Sequence, residues 1–286
     1  MNKQLKSLMK RICFLFLSVL LAFFPKVASA EDVELQPVDG RSPTERAFML
    51  GIGSTNQLDT YLSPMSYKGT QLSFLARSER MTHLASRHVS FQNTFHAAFT
   101  SADNPAGTAS CLGGRLAYDA GWHYHFSPLP HLDLKGGALV GADLGFLYND
   151  HGGNNPAQGH FSIDLSLSAG AAYSFRLRKL PLRVGYQADM PMVGMMFSPE
   201  FGESYYEISQ RGVGHNLLCA HPGNALCFRQ TLMLDFCLRR ITLRVGYLCD
   251  VRQSHAHSLK YRDASHSFMF GIARHFQLMK RVKNEK

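Results

Sequence analysis

From residue 87 onward, apolar and polar residues alternate with a period of two over segments of 16 to 20 residues. Side chains of a β-strand point alternately to its two faces, so this period predicts strands with one apolar face. Between Leu112 and Phe126, the residues Leu112, Leu116, Tyr118, Ala120, Trp122, Tyr124 and Phe126 share one parity, while Arg115, Asp119, His123 and His125 share the other. Between Phe161 and Phe175, Ile163, Leu165 and Leu167 likewise oppose Ser162, Asp164, Ser166 and Ser168. Strands of ordinary globular domains run about five or six residues. A strand that crosses a membrane needs about 9–11, and extra length continues as hairpin stem.

The connections alternate in character. Tight turns are expected at Ser127-Pro128-Leu129-Pro130, at Arg178-Lys179-Leu180-Pro181 and at Arg239-Arg240; polar loops are expected over Asp150–Gly159, Pro191–Glu203 and Ser254–Ala264. Short periplasmic turns alternating with longer external loops mark outer-membrane barrels. On this basis strands are predicted over 46–54, 69–79, 87–101, 111–127, 131–149, 159–177, 182–190, 203–210, 213–220, 225–238, 241–253 and 265–278. The expected fold is all-β, a closed antiparallel transmembrane β-barrel of about twelve strands, with ten to fourteen allowed, over residues 46–278. Closure follows because lipid offers no partner to an open strand edge. A soluble exported sandwich would show the same alternation with its faces reversed; strand length and loop asymmetry favour the membrane.

The N-terminus predicts export. A basic start, an apolar stretch from Ile12 to Phe24 and Ala28-Ser29-Ala30 read as a signal peptide over residues 1–30, cleaved after Ala30. Residues 31–45 then form a periplasmic segment and 279–286 a basic C-terminal tail. No apolar run of 18 residues follows the signal, which argues against membrane helices. The chain's 30 Lys and Arg exceed its 21 Asp and Glu by nine. Five of the basic residues, Lys3, Lys6, Lys10, Arg11 and Lys26, leave with the signal, so the mature excess is four and no nucleic-acid partner is expected. The expected location is the outer membrane, with its lipid and the export and barrel-assembly machinery as partners and the oligomeric state open.

The inward parity carries charges of both signs: Arg115, Asp119, Asp133, Lys135, Asp143, Asp164, Arg176, Arg183, Asp189, Arg229, Asp235, Arg244, Asp250 and Arg252. They fit either a charge-lined pore or a narrow lumen filled by ion pairs, and filling is the favoured reading. Cys111, Cys219, Cys227, Cys237 and Cys249 remain after the signal, and a turn at Pro222-Gly223-Asn224 points to a possible disulfide between Cys219 and Cys227. The pairs His123/His125 and His255/His257 lack a third ligand at metal spacing, and no catalytic motif, metal site or cofactor is expected.

The expected role is non-enzymatic: structural, surface interaction or small-solute passage. The alternative is a barrel-embedded lipid-modifying enzyme, because His88-Val89-Ser90 and His160-Phe161-Ser162 resemble the His-x-Ser spacing of the outer-membrane phospholipase family. Both pairs fall on the inward parity, and Asn93 on the outward one. The last strand, Ser267 to Phe276, resembles the aromatic-ended signal read by the barrel-assembly machinery. A broader set of residues comprises Tyr61-Leu62-Ser63-Pro64 with Tyr67 and Gly69, Gly185-Tyr186-Gln187 through Pro191 and Gly194, Gly202 with Tyr205-Tyr206-Glu207, and Tyr261-Arg262 with Ser265-His266-Ser267-Phe268. These resemble an uncharacterised outer-membrane β-barrel family of the Bacteroidota, a domain of unknown function. The resemblance implies location and fold without an activity.

Overall fold

The computed structural model describes residues 35–37, 44–151, 155–177, 180–238, 241–276 and 279–281. The signal expected over 1–30, most of segment 31–45 and most of the tail 279–286 lie outside the described residues. Two three-residue strands, Leu35–Pro37 and Met279–Arg281, pair antiparallel in a small unit of their own.

Ten long strands form the main unit: β1 Thr44–Asp59, β2 Ser63–Met81, β3 Val89–Asp103, β4 Ser110–Leu129, β5 Leu132–Asn149, β6 Ala157–Leu177, β7 Leu180–Phe197, β8 Phe228–Cys237, β9 Thr242–Ala256 and β10 Leu259–Phe276. Each pairs antiparallel with its neighbours in chain order, and β10 pairs with β1 from Tyr261↔Asp59 to Phe276↔Thr44. The sheet is therefore a closed ten-stranded barrel. Both chain ends of the ring lie at its lower rim, with the turn 130–131 and the paired strand ends Leu177 and Leu180; the 30-residue connection 198–227 lies at the upper rim.

The expectation of twelve strands is corrected to ten because the predicted strands 203–210 and 213–220 do not enter the wall. The first is a helix, α1 Tyr205–Arg211, started by a capping box: Ser204 Oγ accepts from the Glu207 N–H, and the Glu207 carboxylate accepts from the Ser204 N–H. The second contributes a four-residue strand, Leu217–Ala220, that covers only the top of β7. β8 pairs directly with β7 from Arg229↔Asp189 to Phe236↔Leu182, which closes the wall without them.

Two expected loops are also corrected. Ser254–Ala264 is a hairpin whose turn is His257-Ser258, both at positive φ, with β9 and β10 paired up to it. Pro191–Phe197 continues β7, and Pro191, which has no N–H to donate, sits at a register shift opposite Ser166. In both places polar or proline residues hide a strand that the period-two signal misses.

The two faces of the wall differ as the alternation requires. Leu116, Trp122, Val140, Leu144, Leu165, Leu167, Leu232, Phe268 and Phe270 are exposed on the outside. Buried inward neighbours include Arg115, Asp119, Asp143, Asp164, Ser166 and Asp250. One part of the interior is apolar: Met49, Leu75, Met233, Leu248 and Met269, from the five contiguous strands β8, β9, β10, β1 and β2, pack into one cluster.

Candidate functional site

Three layers fill the barrel below and at its upper mouth. The first is a layer of arginine and aspartate. Arg115 Nε donates to Asp143 at 2.9 Å and its Nη2 to Asp250 at 2.5 Å; Arg229 Nε donates to Asp250 at 3.2 Å and its Nη1 to Asp119. Arg252 lies 3.3 Å from Asp143 and 3.5 Å from Asp250, and Asp263 lies 3.8 Å from Arg115. Gly141 leaves room for this layer, since a Cβ there would fall 2.8 Å from Asp119 Oδ1 and 3.1 Å from Asp164 Oδ1. Asp164 accepts from Ser166 at 2.7 Å, and Asp189 from Ser168 at 2.6 Å and Gln187 at 2.9 Å.

Beneath, a vestibule of about 410 Å³ opens among the lower ends of the strands. Lys135 donates to Glu79 at 2.8 Å and to Gln92 at 2.9 Å. Arg244 is bidentate on Asp235, at 2.6 and 2.7 Å, and reaches Glu45 at 2.5 Å; Arg183 is 3.5 Å from Glu45. His125 Nδ1 is 2.9 Å from Asp133, and its Nε2 is 2.9 Å from Ser90 Oγ and 3.2 Å from Glu79. Arg176 lies elsewhere, exposed at the lower rim opposite Pro181.

The upper mouth is spanned by the connection 198–227. Tyr61, in the turn between β1 and β2, donates to the Glu203 carbonyl at 2.7 Å. Tyr205 donates to Gln158 of β6 at 2.9 Å and accepts from the Gly159 N–H at 2.6 Å. Strands β1 and β6 stand across the ring from each other, so this segment bridges the opening. Burial raises the Tyr205 phenol, against the Gly159 hydrogen bond, which lowers it. His257 Nδ1 meets the Ser198 carbonyl at 3.1 Å and fastens the same segment to the β9–β10 turn. Tyr61, Gly202, Tyr205 and Glu207, which carry part of the family resemblance, thus gather at this mouth.

Ser90, His125 and Asp133 have the spacing of a nucleophile, base and orienting acid. Their environment does not suit that chemistry: Ser90 is 0% exposed, and its hydroxyl donates to Glu79 at 2.8 Å. His125 is instead held between two carboxylates. His88 lines the vestibule and does not meet Ser90, while His160 pairs with Asp59 at 3.1 Å and stacks on Tyr261. His123 binds Ser168 at 2.8 Å, so the two histidines of that pair serve different partners. Among the described residues, no group of three or more His, Cys, Asp or Glu side chains is arranged to hold a metal.

The disulfide expected between Cys219 and Cys227 is not formed, and both thiols are free. The turn does form, with the Ala225 N–H on the His221 carbonyl at 2.7 Å. Cys219 is exposed opposite Met195 on the outside, whereas Cys227 turns inward and donates to the Gln253 carbonyl at 3.9 Å, so the thiols point apart.

Sequence reading left out several members of these clusters: Asp263, Glu45 and Glu79, Arg77, which lines the vestibule beside Thr231, and His96, 3.8 Å from Asp250. Asp263 fell in an expected loop and Glu45 one position ahead of the expected barrel. It also left out an outward pair. Ser54 of β1 and His266 of β10 are register partners, both exposed on the apolar side of the wall, and His266 Nδ1 shares a 2.6 Å hydrogen bond with Tyr247 Oη. Directly opposed residues of neighbouring strands have Cβ atoms about 4.5–5.5 Å apart.

A family model described as a protein of unknown function (DUF3316) matches residues 12–283, and the chain belongs to that family. No curated protein matches it. Among solved structures the chain is similar to the outer membrane protease OmpT from Escherichia coli, at 8% identity and TM-score 0.43, over 87% of this chain and 100% of that one. It is similar to the beta domain of the Bordetella autotransporter BrkA at 13% identity and TM-score 0.41, over 83% and 100%. An outer membrane channel from Pseudomonas putida F1 follows at 10% identity and TM-score 0.37, over 87% and 100%.

Proposed function

We propose that this member of the DUF3316 family is an integral barrel of the bacterial outer membrane with a closed lumen, acting through its mouth surface and its lipid-facing wall rather than as a channel. The observation that carries this reading is the layer in which buried Arg115 and Arg229, with the partly buried Arg252, meet Asp119, Asp143, Asp250 and Asp263. An ion passing through the lumen has to part charges that neutralise one another at hydrogen-bond distance, in a place where water does not replace them. The apolar outer face supports the membrane location, because lipid is the solvent in which exposed Leu, Val and Phe cost nothing. The signal over residues 1–30 and the aromatic last strand support export and assembly by the barrel-assembly machinery.

Planar-bilayer recording tests the closed lumen: purified protein is expected to insert without stepwise conductance, and a steady open channel overturns the reading. Recovery of the native protein in the soluble periplasmic fraction overturns the location.

A second reading, a lipid-modifying enzyme, is favoured by the outward Ser54 and His266. It requires phospholipid turnover by purified protein that disappears in Ser54→Ala. The inward Ser90 and Ser162 do not meet a lipid substrate in this arrangement.

A further inference from the structure

We propose that the lower vestibule binds a small oxyanion, a carboxylate or phosphate group, on Arg77. The cavity, about 410 Å³, has the size of a small-molecule pocket. Four long cations line it, Arg77, Lys135, Arg183 and Arg244. Its four carboxylates, Glu45, Glu79, Asp133 and Asp235, are each engaged by a side chain other than Arg77: Arg244 takes Asp235 and Glu45, Lys135 takes Glu79, and the His125 imidazole takes Asp133. Asp189 on β7 is the carboxylate whose charge acts most strongly on Arg77, but it accepts from Ser168 and Gln187 and makes no ion pair with Arg77 among the described residues.

Arg77 is thus left over. Among the described residues no carboxylate oxygen lies within ion-pair distance of it; it makes one long hydrogen bond, Nη2 to Thr231 Oγ1 at 3.4 Å, and its Nε is buried without an acceptor. A guanidinium removed from water is stable when its fork of donors is filled, and the group that fills such a fork is a planar or tetrahedral oxyanion held by two parallel hydrogen bonds. Arg183, held to Glu45 at the longer distance of 3.5 Å, supplies a second positive charge to the same cavity. The vestibule therefore holds an unfilled fork of donors at a defined place, and an entering oxyanion fills it.

Calorimetric titration of the refolded full-length mature barrel in detergent with inorganic phosphate, and separately with acetate, tests this. Saturable binding of at least one is expected at concentrations up to on the order of 10 mM. Arg77→Gln is expected to weaken it about tenfold or more, and Arg77→Lys, which keeps the charge but not the fork, to weaken it less. Arg176→Gln, at the exposed lower rim, should leave it unchanged. Heat-dependent gel migration establishes that each variant is folded; if Arg77→Gln does not fold, the comparison of Arg77→Lys with Arg176→Gln decides. Absence of saturable binding to the native protein, or equal binding by the Arg77 and Arg176 variants, overturns the proposal.

Discussion

Asp250 is 1% exposed and lies at 2.5, 3.2 and 3.5 Å from Arg115, Arg229 and Arg252. One carboxylate thus serves three guanidinium groups, and removing its charge leaves them facing one another. Asp250→Asn is expected to destabilise the barrel by about 3–5 kcal/mol, the cost of breaking a buried pair by removing one partner. Chemical denaturation of the refolded protein in lipid vesicles measures it, and a cost near zero contradicts a sealed layer. That Asp250 faces inward was legible, since the opposite parity, Leu243, Val245, Tyr247, Cys249 and Val251, is apolar throughout. That it meets Arg115 was not. The two stand 135 positions apart and touch across the lumen, a contact set by the curvature of the whole wall rather than by any local pattern. The free thiols illustrate the same limit: spacing brought Cys219 and Cys227 near each other, but the direction of each side chain follows from the strand it joins.

At the scale of the element, the wall predicts an asymmetry between neighbours. Leu165 is 45% exposed on the outside of β6 and Ser166 3% exposed on the inside. Placing Arg at position 165 strips the cation's hydration against acyl chains and is expected to cost about 2–4 kcal/mol, whereas Ser166→Thr should cost little. Equal and mild effects in vesicle denaturation contradict the assignment of faces. Helix α1 gives a pH test. Hydrogen bonds from Ser204, its N–H first and its hydroxyl second, hold the Glu207 carboxyl below the usual carboxylate range. The capping box is therefore complete above that range and is lost as pH falls through the lowered value. The amide resonances of Ser204 and Glu207 are expected to move together in acid, and Glu207→Gln should remove that transition. The long strands from β3 to β6 were legible because their outer faces are apolar over most of their length, with Asn93 a single polar break between Val89 and Phe99. Helix α1 was missed although Ser204-Tyr205-Tyr206-Glu207 carries the Ser-x-x-Glu signature of a helix start, because two adjacent tyrosines favour a strand by propensity.

For the whole molecule, the strand number was the feature least accessible to sequence, because it depends on whether 198–227 enters the wall or crosses the mouth. Ten strands suffice because Asp189 and Arg229 are register partners, and nothing local in either residue announces that β7 and β8 adjoin. The seam between β1 and β10 carries a different kind of consequence, one for the birth of the protein. Thr44 is partnered by Phe276, so the first strand synthesised waits for the last before it gains its second neighbour. Contacts this remote in sequence make folding slow. Throughout that interval the sheet has two raw edges, each able to template pairing with another chain. A nascent polypeptide cut short ahead of Leu259 keeps both β1 and β9 as open edges, and capture by a chaperone, degradation or aggregation is the expected outcome.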